Sequence, residues 1–169
     1  MSVCVFFGSS KILENEQRYL DTIAISNFVS SLGYDVASGG YSGVMEASLR
    51  GAVKNGVRRI GITCDLFEDR VPNEFLSDEI RSKDYFERLE ILIDLGDFYI
   101  AMCGESGTLL EVSAVASLLE RKLIEDRHLI LVGSEWHNLG GFLQIDNKRI
   151  FIAEDINQAC DIIRNLYGK

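Results

Sequence analysis

Short apolar runs alternate with segments of helical periodicity along the whole chain, and this alternation constrains the fold more than any other feature. Runs rich in β-branched and aromatic residues predict buried strands, whereas apolar residues three or four positions apart predict helices. The predicted strands are Val3–Phe7, Tyr34–Ala37, Arg59–Thr63, Asp97–Ala101, His128–Val132 and Arg149–Ile152. Their regular alternation with helices predicts an α/β fold in which an open parallel sheet carries helices on both faces.

The segments between these strands divide into helices and irregular chain. The predicted helices are Glu16–Leu32, Val44–Val53, Asp84–Leu95, Val112 to about Lys122, and a last helix capped by Asp155 and running through Tyr167. Cys64–Lys83 has no clear period and holds the only proline, Pro72, which predicts a loop over the sheet edge that could serve as a lid. Gly133–Asn147 is predicted to be irregular. A length of 169 residues predicts one domain spanning residues 1–169.

Charge and cysteine content exclude several functions. The net charge of −9 disfavours a long polyanion such as DNA or RNA, so any anion site must be local. The apolar start, Met1–Gly8, is too short for a signal peptide and no run is long enough to cross a membrane, which predicts a cytoplasmic protein. The four cysteines lie far apart and form no cluster with the two histidines, which predicts reduced thiols and no metal site.

Glycine-bearing turns follow three of the predicted strands, at the edge where a Rossmann-like sheet binds its ligands. A turn that leads from a strand into a helix presents free backbone N–H groups, which favour phosphate. We therefore predict a phosphate-bearing small molecule as partner, with contacts from Gly8, Ser9, Ser10, Gly39, Gly40, Gly43, Met45, Gly104, Ser106, Gly107 and Thr108. The dinucleotide pattern G-x-G-x-x-G after the first strand and the Walker A lysine are both absent, so neither NAD nor ATP hydrolysis, and no cofactor, is predicted.

The third of these turns, within Ala101–Glu111, places a carboxylate beside the predicted phosphate site. Glu111 falls one helical turn after Thr108 and on the same face, which suggests chemistry on the rest of the ligand. The alternative is that Thr108-x-x-Glu111 is only a capping box. Cys103, just before the helix, is either a reactive thiol or a small buried residue.

With these motifs in place, nearly the whole chain resembles the Lonely Guy (LOG) family of nucleoside 5′-monophosphate phosphoribohydrolases. Val3–Ser10 is similar to the family's first strand and turn, and Ser38–Ala52 is similar to its second glycine-rich block. Cys103–Glu111 matches the family hallmark P-G-G-x-G-T-x-x-E, and Phe86-Glu87-Arg88-Leu89 stands where the family has M-H-x-R-K. The resemblance implies that Arg88 and Glu111 form a catalytic pair. Without it, Arg88 reads as a solvated helix arginine paired with Glu87 or Glu90.

Three departures from the family pattern leave two functions open. Cys103 replaces the hallmark proline, Glu105 replaces its second glycine, and Leu89 replaces the lysine after the arginine. Glu105 adds negative charge where phosphate would bind. The first hypothesis is an enzyme that cleaves the N-glycosidic bond of a nucleoside monophosphate. The alternative is a carrier that binds a nucleotide or a phosphorylated pterin such as molybdenum cofactor without hydrolysis.

The apolar residues of two predicted helices suggest how the chain assembles. These are the helices that would carry Arg88 and Glu111. Their apolar residues occupy more than one face of each helix: Leu89, Ile91, Leu92, Ile93 and Leu95, then Val112, Val115, Ala116, Leu118 and Leu119. A helix that is apolar on two sides needs a second cover beyond its own sheet. We therefore predict a homodimer in which helix packs on helix, and the resemblance points the same way. The alternative is a monomer with a wide core.

Overall fold

The computed structural model describes residues 2–145 and 148–168, which form one α/β unit. Its strands are β1 Val3–Phe7, β2 Asp35–Ser38, β3 Arg59–Cys64, β4 Asp78–Ser82, β5 Phe98–Met102, β6 His128–Val132 and β7 Ile150–Ala153. Its α-helices are α1 Gln17–Ser31, α2 Val44–Gly51, α3 Tyr85–Leu95, α4 Ser106–Glu120 and α5 Ile156–Tyr167. Two short 3₁₀ helices, Val53–Asn55 and Ser134–Leu139, complete the secondary structure of the described residues.

All neighbouring strands of the sheet run parallel, in the order β4-β3-β2-β1-β5-β6-β7. The order reverses between β1 and β5, where Phe7 pairs with Ala101. Both strands end at the same edge of the sheet, and the segments after them diverge there. This is the place where open α/β sheets bind ligands.

Helices cover both faces of the sheet, which confirms the predicted Rossmann-like fold. On one face, α3 and α4 bury apolar side chains that include Leu92, Val112 and Val115. On the other face, α1, α2 and α5 bury their apolar side chains against the sheet. The interior strand β1 is buried along its whole length and divides its side chains between the two cores. That double burial explains why the interior strands appear in the sequence as continuous apolar runs.

The prediction that Cys64–Lys83 is only a loop was wrong, because β4 lies within it as a seventh strand. β4 pairs with β3 alone, and four of its five residues are exposed or half-buried. An edge strand with one neighbour carries charged residues instead of an apolar run, so it left no strand signal.

The segment predicted to be irregular also holds structure. Residues 134–139 form the second 3₁₀ helix, with Trp136 buried, while Asp146 and Asn147 lie outside the described residues. Asp155 caps α5 as predicted, since its side chain accepts a hydrogen bond from the Gln158 backbone N–H at 2.9 Å. Among the described residues, no helix combines the length and the apolar character needed to cross a membrane.

Candidate functional site

A cavity of about 220 Å³ opens at the carboxyl ends of β1 and β2, against the first turns of α3 and α4. Its wall combines the three glycine-bearing turns with part of the β3–β4 connection. The lining residues are Phe6, Phe7, Gly8, Ser10, Lys11, Gly39, Met45, Phe67, Arg70, Tyr85, Arg88, Glu105, Ser106, Gly107, Thr108 and Glu111. Three of these are cationic and two are carboxylic acids, so the cavity is more positive than the chain of net charge −9 around it.

Arg88 is buried beneath the cavity, with 5% of its surface exposed. It lies in the first turn of α3, and its side chain reaches back under the sheet edge. Its Nε donates a hydrogen bond to the Ile62 carbonyl at 2.7 Å, and its Nη2 donates to the Gly39 carbonyl at 3.0 Å. The reading of Arg88 as a solvated arginine paired with Glu87 or Glu90 was therefore wrong. Carbonyls at the ends of two strands fix its guanidinium in one place.

The absence of a side chain at Gly39 makes room for that guanidinium. A Cβ added to Gly39 would overlap Arg88 Nη2 and would lie 2.5 Å from the Met45 sulfur. Met45 also contacts Arg88, with 3.6 Å between its sulfur and Nη2. Gly39 and Met45 thus contact the Arg88 guanidinium and also line the cavity.

Glu111 faces Arg88 from α4. Its Oε1 lies 3.7 Å from Arg88 Nη1, and 13% of its side chain is exposed. Burial raises the pKa of Glu111 from 4.5 to about 7, although the charge of Arg88 acts in the opposite direction. Desolvation outweighs the ion pair because 3.7 Å is too long for a hydrogen bond that would stabilise the carboxylate. Near neutral pH this group can therefore either accept or donate a proton.

The N-terminal turn of α4 forms another wall, through Ser106, Gly107 and Thr108. Glu105 is the N-cap residue, but its side chain makes no capping hydrogen bond. Because α4 begins at Ser106, Thr108 and Glu111 both lie inside the helix, and the capping-box reading of this pair was wrong. The first backbone N–H groups of α4, with the positive end of its dipole, are left for an anion.

The Glu105 carboxylate is turned toward the β1 loop. Its Oε1 accepts a hydrogen bond from Ser9 Oγ at 3.0 Å, and Ser9 Oγ accepts one from the Lys11 backbone N–H at 3.0 Å. Glu105 still lines the cavity. Its negative charge therefore lies at the rim of the place where the sequence predicts phosphate.

The structure brings nine of the thirteen predicted site residues to the cavity: Gly8, Ser10, Gly39, Met45, Arg88, Ser106, Gly107, Thr108 and Glu111. Ser9, Gly40, Gly43 and Gly104 do not line it. Gly43 has a φ of +71°, and a Cβ there would strike the Ser9 and Ser10 backbone. A Cβ on Gly104 would lie 2.7 Å from the Ser9 backbone nitrogen. These two glycines allow the three turns to approach one another.

Seven other lining residues were not predicted as site residues: Phe6, Phe7, Lys11, Phe67, Arg70, Tyr85 and Glu105. The rings of Phe67 and Tyr85 are 5.9 Å apart between centroids, and the Tyr85 hydroxyl lies 3.3 Å from the place a Gly107 Cβ would take. Burial and the nearby Glu111 raise the pKa of Tyr85, which keeps its hydroxyl a donor. Phe67 and Arg70 belong to the connection between β3 and β4, which the sequence presents as a loop.

Cys103, Tyr41 and Ser42 lie beside this cavity without lining it. Cys103 is half-buried and packs against the core beneath α3 and α4. The buried Tyr41 exchanges hydrogen bonds with the Cys64 backbone. Ser42 donates to the Ser10 carbonyl at 2.9 Å. The last two residues tie the glycine-rich turns to the strands around them.

Comparison with known proteins gives one family match and several structures of the same fold. The model of the SLOG cluster4 family matches residues 1–160. The molybdenum cofactor carrier protein MCP from Chlamydomonas reinhardtii superposes with a TM-score of 0.79 at 20% identity, over 99% of both chains. The molybdenum cofactor binding protein from Rippkaea orientalis has a TM-score of 0.77 at 21% identity, over 97% of this chain and 95% of that one.

A more distant likeness is DNA processing protein A from Streptococcus pneumoniae. Its TM-score is 0.62 at 13% identity, over 95% of this chain and 61% of the other. At these identities, all three likenesses establish a shared fold and nothing further. Among curated proteins, none matches the chain.

Proposed function

Because this chain belongs to the SLOG cluster4 family and is a divergent LOG-like member of it, we propose that it is a nucleoside 5′-monophosphate phosphoribohydrolase. The reaction consumes a nucleoside 5′-monophosphate and one water, and releases the free base and ribose 5-phosphate. The observation that carries the proposal is the Glu111 carboxyl, facing the guanidinium of Arg88 across 3.7 Å at the wall of a cavity beside the α4 N-terminus.

Glu111 supplies the acid–base chemistry in this proposal. As the bond between the base and C1′ breaks, its electron pair leaves with the base and positive charge develops on the ribose. An ionised Glu111 stabilises that charge and takes a proton from the water whose oxygen attacks C1′. This proton then passes to the departing base, which completes the free base and returns Glu111 to its ionised form. A pKa of about 7 leaves a substantial fraction of Glu111 ionised at neutral pH.

Arg88 fixes the geometry of this step. Its Nε and Nη2 are engaged by the carbonyls of Ile62 and Gly39, which leaves Nη1 as the nitrogen that faces Glu111. The first N–H groups of α4, at Ser106 and Gly107, are the proposed phosphate site. A phosphate held there would anchor the substrate beside Glu111, which lies on the same helix.

The test is release of base from a panel of purine and pyrimidine monophosphates, measured by chromatography. Glu111→Gln should reduce kcat by roughly 10²–10⁴-fold with little change in ligand affinity, because a positioned acid–base group contributes about that factor. Circular dichroism would confirm that the variant is folded. Absence of base release from every monophosphate at high enzyme concentration would refute the proposal.

A second candidate function is a carrier that uses the same cavity without turnover. Glu105 supports it, because a carboxylate at the rim of the phosphate site opposes binding of a small phosphate and has to be offset by other contacts to a larger ligand. Structures with this fold include proteins described as a molybdenum cofactor carrier and a molybdenum cofactor binding protein. A phosphorylated pterin is therefore the alternative ligand.

Calorimetry separates the two functions when it is paired with the activity assay. Tight binding of a nucleotide or a phosphorylated pterin without any product favours the carrier. Glu105→Gly gives the sharper result: if turnover appears and phosphate binding tightens, the loop is a catalytic site that this carboxylate has impaired. Ser9→Ala is the matched control, because it removes the hydrogen bond to Glu105 but retains the charge.

A further inference from the structure

Arg70 is unusual among the arginines of this chain. Of the eleven arginines in the sequence, it is the only one whose side chain makes no hydrogen bond or ion pair within residues 2–145 and 148–168. The other ten each donate at least one hydrogen bond. An acidic chain offers a carboxylate to most exposed arginines, as Asp65 does to Arg81 at 2.6 Å. The lack of such a partner at Arg70 therefore requires an explanation.

Aromatic stacking holds Arg70 in place. Its Cζ lies 4.9 Å from the centroid of the Phe67 ring and 5.6 Å from that of Tyr41. Tyr41 is itself fixed, since its hydroxyl accepts a hydrogen bond from the Cys64 backbone N–H at 2.9 Å. Contacts with ring faces position a guanidinium but use none of its five N–H donors. Arg70 is thus a placed cation whose donors are available to a ligand.

Arg70 and the α4 N-terminus line the same cavity. Two aromatic rings connect them: Phe67 contacts Arg70, Tyr85 contacts Phe67, and the Tyr85 hydroxyl lies over Gly107. The cavity therefore favours negative charge at two places with an aromatic wall between them. A single phosphate at α4 would leave Arg70 unused.

We propose that Arg70 forms a second anion subsite, and that the ligand carries two negatively charged groups. One is the phosphate at the α4 N-terminus, so this inference rests on the proposed function. The other is an acidic group bound by the Arg70 guanidinium, whose paired N–H donors match the oxygens of a carboxylate or a phosphate. Such a group could come from a carboxylate on the base or from a second phosphate on the ribose.

Matched ligands distinguish these two sources. Uridine and orotidine 5′-monophosphates differ by one carboxylate on the base, and adenosine 5′-monophosphate and adenosine 3′,5′-bisphosphate differ by one phosphate on the ribose. We expect the doubly anionic member of at least one pair to bind about tenfold more tightly by calorimetry, because hydrogen bonds to charged groups contribute at that level. The preference should weaken as salt is added.

Arg70→Gln should abolish this preference. Arg81→Gln is the matched control, because Arg81 is an exposed arginine on the same β3–β4 unit that pairs with Asp65 and does not line the cavity. It should leave the preference intact. Lys11→Gln tests the other exposed cation of the cavity wall. Thermal melts would confirm that all three variants are folded.

The possible results separate this inference from the proposed function. Equal binding within both pairs, with the monophosphates bound and hydrolysed, overturns the inference and leaves the function standing. A preference that survives Arg70→Gln overturns the assignment to Arg70, and its loss in Lys11→Gln would move the subsite there. A preference lost in Arg70→Gln without hydrolysis of any monophosphate supports the inference and contradicts the enzyme. No binding of any of the four ligands overturns both.

Discussion

The charge of Glu111 is controlled by its burial. Its pKa is raised from 4.5 to about 7 by desolvation, so between these pH values the folded chain holds a proton that the unfolded chain has released. Stability from this group is complete below roughly pH 4.5 and declines as pH rises through about 7. At alkaline pH the fold therefore retains a buried carboxylate that destabilises it.

Glu111→Gln should relieve that destabilisation. At pH 8 the variant is expected to be more stable than the parent by roughly 1–3 kcal/mol, with the difference shrinking toward pH 4.5. Thermal melts across this pH range measure it. Glu125→Gln, the same substitution at an exposed position, is the matched control. Identical pH dependence of the parent and Glu111→Gln would contradict the raised pKa.

Gly39 allows a second test at a single residue. Gly39→Ala places a methyl group where Arg88 Nη2 lies, so Nη2 must move and its hydrogen bond to the Gly39 carbonyl is disturbed. We expect a loss of roughly 1–3 kcal/mol of stability and activity reduced toward that of Arg88→Ala. Gly141→Ala is the matched change, since its Cβ would meet nothing within 4 Å. Unchanged activity in Gly39→Ala would show that activity does not depend on the position of the Arg88 guanidinium.

At the scale of secondary structure, the cap of α3 links stability to the site. Asp84 Oδ1 accepts hydrogen bonds from the backbone N–H groups of Phe86 and Glu87, both at 2.9 Å, one turn before Arg88. Asp84→Ala should cost about 1 kcal/mol and also weaken ligand binding. Asp155→Ala removes the cap of α5, on the opposite face, and should lower stability alone. Denaturant melts measure the stability of the two variants, and calorimetry measures their ligand binding. Equal effects of Asp84→Ala and Asp155→Ala on binding would show that the cap of α3 has no particular influence on the site.

How far the sequence predicted each element depends on its burial. The interior strands and the long helices were predicted because core contacts impose a continuous or periodic apolar pattern on them. β4 was not predicted because Asp78, Glu79 and Arg81 are exposed to solvent, so no core contact imposes an apolar pattern on this strand. The Thr108–Glu111 spacing also left a capping box open as an alternative, and the structure excludes it because α4 begins at Ser106. Local spacing cannot fix where a helix starts when the N-cap side chain makes no capping bond.

The candidate site divides along the same line. Glu111 and the glycine turns follow strands directly, so the topology could be used to place them together. Arg88 needed the resemblance, because an arginine on a helix gives no sign of burial. Phe67 and Arg70 lie in the connection between β3 and β4, whose sequence shows no periodic pattern that would indicate a place in the cavity wall. The positions of these side chains therefore could not be predicted from hydrophobic periodicity.

At the scale of the molecule, the outer side of α3 and α4 remains apolar. Phe86 is 74% exposed and Leu110 is 39% exposed, and a groove between the helices is lined by residues that include Leu89 and Leu118. We propose that a second copy of the chain covers this face in a two-fold dimer. Since α3 carries Arg88 and α4 carries Glu111, dissociation would disturb both.

Light scattering over micromolar concentrations tests the dimer. Leu118→Glu should shift the chain toward monomer and reduce activity in parallel, because a charge in the groove opposes its burial. Leu20→Glu is the control: Leu20 is 49% exposed on α1, at the other side of the sheet. A mass of 18.9 kDa at every concentration would rule the dimer out.

The composition of β4 also bears on how this protein behaves when concentrated. Its outer edge offers unpaired backbone groups that could recruit a strand from another molecule. The charges of Asp78, Glu79 and Arg81 disfavour such a joint, since added strands would bring like charges together. The charged residues that prevented the prediction of β4 from the sequence therefore also oppose fibrillar aggregation through its edge. Their charge disfavours association through the sheet edge, which is consistent with the proposed dimer through the helical face.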